Sequence, residues 1–429
     1  VRATSTAGEA YAVDIQSGTL NNASNGTIVA DSQSGPVRAV NLEDSRGTNT
    51  GTIRATDPSA AETYAVWLSA SSLDNNGRVI GDTHIGEGSL LTGSGRFDGN
   101  VNSKGGVLAP GNSIGTMTID GNYTQYPGST LEIEFDDTAA DLLDVSQTID
   151  IRGGTLAFAP LGYTTGGNYQ FLNATQISGT YDRIQSPAVF DAAVSSGDAA
   201  INRNPYASLA SNAGQRGVAG ALDQIRPAAT GGMASILNSM DTLPLAEVQA
   251  ALGDMGPDMQ AAAGYAALQN TQRGLGYVRR HWKDLRTEAG REDTPYQPST
   301  PSANATRYTA WGTFVGGSSQ TAAQSAIPAF NTSTAGFILG LDYRIGAKLT
   351  AGLAGSATTQ SLHQEHGGGS SSIKAYRVHL YGLWNANPEA RGLYVAAAMG
   401  FGKLHFETDR DIGFWGRTAQ SHHSGPDYC

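Results

Sequence analysis

Short runs in which apolar and polar residues alternate recur through the first part of the chain. Three of these stretches align with one another: "YAVDIQSGTLNNASNGTIVADS", "VRAVNLEDSRGTNTGTIRATDP" and "YAVWLSASSLDNNGRVIGDTHI". Ala12, Ala39 and Ala65 correspond at spacings of 27 and 26 residues, and Gly26, Gly51 and Gly77 correspond further on. Within each unit Val13/Ile15, Val40/Leu42 and Val66/Leu68 alternate with polar residues, and a second short strand such as Thr27-Ile28-Val29 follows. This period signals stacked repeats, is too short for a propeller blade and lacks the leucine spacing of a leucine-rich repeat. A β-solenoid remains, its coils turning apolar residues inward. Asn21, Asn22, Asn75, Asn76 and Gly77 would sit at corners that require positive φ.

From Gly88 to about Phe158 the strands shorten and glycines crowd, as expected of narrower last coils, and residues 167–204 still read as strands. Beyond Asn212 the period changes. Val218, Leu222 and Ile225, then Ile236, Leu237 and Met240, then Val248, Leu252 and Met255 fall at helical spacing, and Pro227, Pro244 and Pro257 cut this stretch into short helices. "YAALQNTQRGLGYVRRHWKDLR" predicts a longer helix with Leu268, Leu275, Val278, Trp282 and Leu285 as its apolar stripe, and with Arg273, Arg279, Arg280, Lys283 and Arg286 making another surface basic.

After "EDTPYQPSTPSANAT", which reads as a loop, period two returns in longer strands. Phe337, Leu339, Leu341, Tyr343 and Ile345 share one face, with Gly340, Asp342 and Arg344 on the other. Tyr376, Val378, Leu380 and Trp384 oppose Arg377, His379 and Asn385, and Leu393, Val395, Ala397, Met399 and Phe401 form a third apolar row. An apolar outside with aromatics near strand ends and a polar, glycine-rich inside is the pattern of a lipid-embedded barrel. A soluble sandwich that buries the apolar face is the alternative. In the barrel reading the basic helix occupies the polar lumen, which can offer carboxylates such as Asp342; in the other it packs on a soluble sheet.

Composition narrows the picture. A length of 429 residues exceeds what a single core supports, so two or three folding units are expected. Glycine occurs 55 times and charged residues make up only 15%, which suits many short strands and tight turns. The net charge of −11 repels polyanions and speaks against nucleic acid as a partner. The one cysteine, Cys429, excludes an internal disulfide framework. No apolar run is long enough for a membrane helix, which says nothing of a barrel.

Candidate chemistry is sparse. Gly111-Asn112-Ser113-Ile114-Gly115 fits the G-x-S-x-G pattern of a nucleophile elbow, but "TMTID" after it reads as a strand where the elbow needs a helix, so Ser113 is expected to be part of a coil wall. Asp136, Asp137, Asp141 and Asp144 could offer oxygens to calcium, yet lack the EF-hand spacing and glycine, and are expected to be solvated. His363 with His366, and His422 with His423, bring no third ligand at metal spacing and read as loop tips. No catalytic residue, cofactor or metal is expected.

Several segments together resemble the type V autotransporters of Gram-negative bacteria, of the pertactin-like kind. "GGVLAPGNSIGTMTIDGNYTQYPGSTLEIEF" is similar to the last passenger coils, "NYQFLNATQISGTYDRIQ" to the strands that close them, and "NAGQRGVAGALDQI" and "LPLAEVQAALGDM" to the helical connector. "VRRHWKDLR" is similar to the end of the pore helix, and "YTAWGTFVGG", "GFILGLDYRIGAKLTAGLAGSATTQ" and "YRVHLYGLWN" to opening barrel strands. The resemblance implies a mainly β chain. Residues 1–87 would be right-handed parallel β-helix coils and 88–205 the closing, autochaperone-like coils. A helical linker would follow at 206–290, with Arg279, Arg280, Lys283 and Arg286 in the lumen. Residues 291–429 would begin an antiparallel transmembrane β-barrel, with Phe337, Leu339, Leu341, Tyr343, Tyr376, Val378, Leu380 and Trp384 facing lipid.

Implied with it are an outer-membrane location, a passenger at the cell surface or secreted, outer-membrane lipid and the barrel-assembly machinery as partners, and a non-enzymatic surface role such as adhesion. The strands after Tyr308 are too few to close a pore and "SGPDYC" lacks the family's aromatic terminus, so the chain is expected to be a fragment at both ends. Some relatives cut themselves at paired asparagines in the linker helix; Asn270 stands alone, and cleavage is not inferred. The rival function is a soluble extracellular solenoid that binds or cleaves polysaccharide, which would need carboxylates or aromatics aligned on one solenoid face. No such ladder is evident in the sequence.

Overall fold

The structure is a computed structural model that describes residues 1–6, 8–33, 35–56, 62–256, 258–288, 307–323, 329–346, 348–364, 369–386 and 392–429. It divides into two compact units, one of residues 1–211 with 219–249 and one of residues 212–218 with 250–429.

The first unit is a β-solenoid of about seven turns, walled by three parallel sheets of short strands. The aligned repeats become neighbouring turns: Val13 pairs with Val40 and Val40 with Val66, as Ile15 does with Leu42 and Leu42 with Leu68. Alternation sends every second side chain inward, so like residues stack along the axis. Ile28, Ile53, Val79, Phe97 and Ile119 form one buried column, and Leu73, Leu91, Leu108, Leu131 and Leu156 another. Each added turn buries the apolar face of the one before, which is what holds a solenoid together.

The corners correct the sequence reading. Positive φ is taken up not by the asparagines but by a separate column: Ser17 (57°), Asp44 (46°), Ala70 (47°), then Gly88, Gly105, Gly128 and Gly153. Gly26, Gly51 and Gly77 serve close approach instead. A Cβ on Gly51 would lie 2.3 Å from the Gly26 carbonyl oxygen, and one on Gly77 2.2 Å from that of Gly51. The asparagines pair from turn to turn inside the wall. Asn22 Nδ2 donates to Asn49 Oδ1 at 2.7 Å, and Asn49 Nδ2 to Asn75 Oδ1 at 2.6 Å. The coil shortens only briefly, not throughout as expected: the analogous serine rung from Ser71 N to Ser89 Oγ spans 18 residues, against 26 from Ser45 to Ser71, but the bond from Ser129 Oγ to the Ser103 carbonyl spans 26 again.

An antiparallel three-stranded sheet, ordered Gly166–Gln170, Asp198–Arg203, Phe190–Ser195, ends the solenoid. Helices Ala213–Ile225, Gly231–Met240, Leu245–Asp254 and Asp258–Glu288 follow the predicted helical stripes, and Leu222, Leu237, Met240, Val248 and Leu252 are buried. In the first unit both Arg203 and Arg226 bond the fully buried Asp241, as does the Tyr206 hydroxyl, and this joins the closing sheet to the helix that follows.

The second unit contains six antiparallel strands in chain order: Tyr308–Thr321, Phe330–Ile345, Leu349–Gln364, Ser370–Asn385, Tyr394–Ile412 and Arg417–Tyr428. The Asp258–Glu288 helix packs on one face of the second to fifth of these. The loop expected at 292–306 and His366 lie outside the described residues.

Candidate functional site

The sheet has two unlike faces. On one, apolar residues align in rows across the strands: Leu339, Val378, Phe401 and Tyr428 in one, Leu341, Leu353, Leu380 and Met399 in the next. Among the sites predicted to face lipid, Phe337, Leu339, Leu341, Tyr376, Val378, Leu380 and Trp384 are exposed here, Leu339 at 59%, and Tyr343 is half-buried. Among the described residues no second sheet covers these rows, as the sandwich alternative requires. From Phe337 to Ile345 they run about 27 Å along the strand, or roughly 20 Å of height at ordinary barrel tilt, close to the ~25 Å apolar band of a membrane barrel.

The other face is where the helix lies. Its contact stripe is mostly alanine: Ala262, Ala263, Ala266 and Ala267, with Met259 at the N-terminal end, pack on Phe330, Leu362, Ile373, Leu404 and Phe406, and Val278 packs farther along with Val315, Ile338 and Tyr381. Between these apolar ends sits a buried polar centre. Arg377 donates through Nε to Asp427, through Nη1 to Asn270 Oδ1 at 3.0 Å and through Nη2 to Thr271 Oγ1 at 2.9 Å. Thr271 Oγ1 also donates to Asp427 at 3.0 Å, Thr358 Oγ1 donates to Asn270 Oδ1, and Asn270 Nδ2 is 3.4 Å from Gln360 Oε1. In a dry site such a network is stable only because its charges are paired and its acceptors filled.

A second cluster fixes the helix near its C-terminal end. His281 Nε2 lies 2.8 Å from Asp342 Oδ2, and its ring stacks on Trp311 at 4.0 Å. The Tyr381 hydroxyl accepts from Trp311 Nε1 at 2.6 Å and donates to Asp342 Oδ1 at 2.6 Å. Glycines make slots for these rings: a Cβ on Gly340 would lie 2.4 Å from the Trp311 indole, and one on Gly352 2.1 Å from the Tyr381 ring.

The predicted basic residues are placed differently from these. Arg279, Arg280 and Lys283 are exposed, and Arg286 stacks its guanidinium 3.8 Å over Tyr394. Asp342, named as a carboxylate for the basic face, is taken by His281. The predicted stripe holds at Val278, but Leu268 is 57% exposed. Asn270, Thr271, His281, Trp311, Tyr381 and Asp427 were not singled out as functional. The signal that could have found the helix side is the run of Ala, Asn, Thr and Gly at three- and four-residue spacing.

The solenoid's candidates resolve into structural roles. Ser113 is exposed on a turn followed by the strand Thr116–Ile119. Asp141 is fully buried and accepts from Gly115 N at 2.8 Å and Glu134 N at 2.7 Å; burial pushes its carboxyl up to about 7, against the pull of those two donors. Asp137 accepts from Thr164 and Thr165, Asp136 from Thr138 and Ala139, and Asp144 from Asn173. Asp141 is thus sealed in the wall, against the expectation, while Asp137 is exposed and Asp136 and Asp144 are half-buried, all three tying loops from the surface; no group able to hold a metal occurs among the described residues. His363, His422 and His423 are exposed, but they lie within the third and sixth strands of the β-sheet and not at loop tips.

One local aromatic cluster occurs on the solenoid, in the sheet that contains Tyr64–Trp67, and it is not a ladder along a face. Trp67 lies between Arg38, whose guanidinium is 4.0 Å from its ring, and His84, stacked at 3.7 Å, with Tyr64 edge-on. Both neighbours occupy the indole, so it offers no open platform for a sugar ring.

Residues 310–428 match the family model of the autotransporter beta-domain. This part of the chain is an autotransporter β-domain. Solenoid, helices and β-domain stand in the order of a type V autotransporter, with the solenoid as passenger. No curated protein matches the chain in sequence. The β-domain implies outer-membrane insertion, and its helix-bearing face is the one that holds the buried polar centre.

Proposed function

We propose that the chain exports its own solenoid through the β-domain to the cell surface, where the solenoid serves as an adhesin or comparable surface protein rather than an enzyme, and that the barrel-assembly machinery inserts the β-domain. The observation that carries the export reading is the two-faced sheet: uncovered apolar rows on one side, a helix held by buried polar groups on the other.

The sheet also has a direction. Beyond Phe337 most of the same outward positions turn polar (Thr359, Lys374, His405, then Ser333, Ser372, Glu407), so the strands continue past the apolar band at one end. At the other end they turn soon after Ile345. Membrane barrels have short periplasmic turns and longer extracellular extensions. The helix has its N-terminal Met259 among residues of the extended end and its His281 near the short turn, so the preceding chain leaves on the outer side. Solenoid folding there buries apolar columns turn by turn and would bias the chain outward.

The test is fractionation and protease shaving of cells making the chain with its natural flanking sequence. Carbonate-resistant membrane association and loss of solenoid epitopes on shaving intact cells are expected. A chain that remains in the soluble fraction without detergent overturns the reading.

A further inference from the structure

On the apolar face the third strand carries Gly355 and Ala357 between larger neighbours. Leu339 and Val378 flank Gly355, and Phe337 and Tyr376 flank Ala357. The two small residues floor a trough of ≈ 550 Å³ whose far wall is Phe401 and whose polar end is Lys403. A Cβ on Gly355 would meet nothing within 4 Å, so the floor is open space and not packed backbone. Neighbouring strands are ~4.8 Å apart, so the gap between the second and fourth strands is about the width of one alkyl chain with a ring on either side.

Lys403 stands in the row of Phe337, Ala357 and Tyr376, where the apolar band gives way to polar positions. It is exposed and makes no ion pair among the described residues. The next cation outward, Lys374, is held 3.3 Å from the Glu407 carboxylate, and the His405 ring stands edge-on to Tyr376 at 6.3 Å. An ammonium with no ion-pair partner among the described residues, at the end of an open apolar trough at the membrane boundary, is complementary to one ligand chemistry: an acyl chain ending in an anionic phosphate.

We propose that this trough seats an acyl chain of a membrane lipid, with the lipid's phosphomonoester headgroup against Lys403 on the outward side of the β-domain. The proposal rests on the apolar rows facing lipid. Glu407 restricts the phosphate to the Lys403 side, since its carboxylate already holds Lys374 and repels a second anion.

The experiment uses the chain with its natural flanking sequence in phosphatidylcholine vesicles containing a small fraction of phosphatidic acid, with a diazirine in the acyl chain of one lipid or the other. Crosslinks mapped by mass spectrometry are expected to concentrate on the segments around Gly355–Ala357 and Phe401, with phosphatidic acid preferred. Lys403→Glu is expected to lower that preference by about fivefold or more, the effect of one cation near an anionic surface. Gly355→Leu, which fills the trough, is expected to abolish labelling there with either lipid while labelling near Leu341 and Leu380 persists. Labelling spread evenly over the apolar rows, or an undiminished phosphatidic acid preference in Lys403→Glu, overturns the proposal. Absence of labelling at Leu341 and Leu380 as well as in the trough would instead overturn the lipid-facing reading beneath it.

Discussion

Arg377 reaches across Gly402 to Asp427, joining the fourth strand of the β-domain to the sixth over the intervening fifth. The glycine makes this possible, because a Cβ at 402 would lie 2.7 Å from Arg377 Cγ. The helix takes part through Asn270 and Thr271, so one guanidinium holds two strands and the helix together. Breaking a buried pair by removing one partner strands the other charge and costs about 3–5 kcal/mol, whereas replacing both with apolar groups is far milder. Asp427→Asn should therefore lower the thermal midpoint of the β-domain in detergent, read from heat-modifiable gel mobility, and Arg377→Met combined with Asp427→Leu should recover most of the loss. A neutral Asp427→Asn would show that the pair does not hold the helix.

The asparagine rungs of the solenoid make a graded prediction. Asn49 is fully buried and central: its Oδ1 accepts from Asn22 and from the Gly51 amide at 3.2 Å, and its Nδ2 donates to Asn75. Asn49→Ala leaves several buried groups without partners, at about 1–3 kcal/mol for each that water cannot reach. Asn22→Ala removes only the first rung. Urea unfolding followed by far-UV circular dichroism should show a clearly larger loss for Asn49→Ala, and equal losses would mean that the rungs act singly and not as a ladder.

What the sequence disclosed of this fold follows from what period-two alternation encodes. It assigns a residue to a face, so Arg377 and Asp342 were legible as inward and Leu339 and Val378 as outward. It does not encode register, which is fixed by turns and packing. Asp427, 50 residues from Arg377, could therefore not be named as its partner. The helix was misread for a different reason. Between Met259 and Val278 its buried stripe is Ala, Asn, Thr and Gly, which allow close approach to the sheet, and a search for large apolar residues favours Leu268 on the open side. At the solenoid corners both Asn and Gly were noticed, but hydrogen-bonded rungs and direct backbone stacking explain them, while strain falls on Ser17, Asp44 and Ala70.

Two buried groups of the solenoid give it opposing pH dependences. His84 is held down to about 4 by burial and by the positive charges of Lys104 and Arg38. Between the unfolded value of 6.5 and about 4 the unfolded chain binds a proton that the folded chain refuses, so stability falls as the pH drops through that window. Asp141 is the reverse. Burial raises its carboxyl from 3.8 to about 7, so between those values the folded chain retains a proton that the unfolded chain has released, and stability falls as the pH rises. From about pH 4 to 6.5 the two effects oppose each other, and the unfolding midpoint of the unaltered chain should change little on their account. His84→Phe, which keeps an aromatic ring beside Trp67, should expose the Asp141 slope and give a solenoid more stable at pH 4.5 than at pH 7. Asp141→Asn should expose the His84 slope and give the opposite order. Urea midpoints at the two pH values decide it, and slopes of the same sign in both variants would refute the assignment.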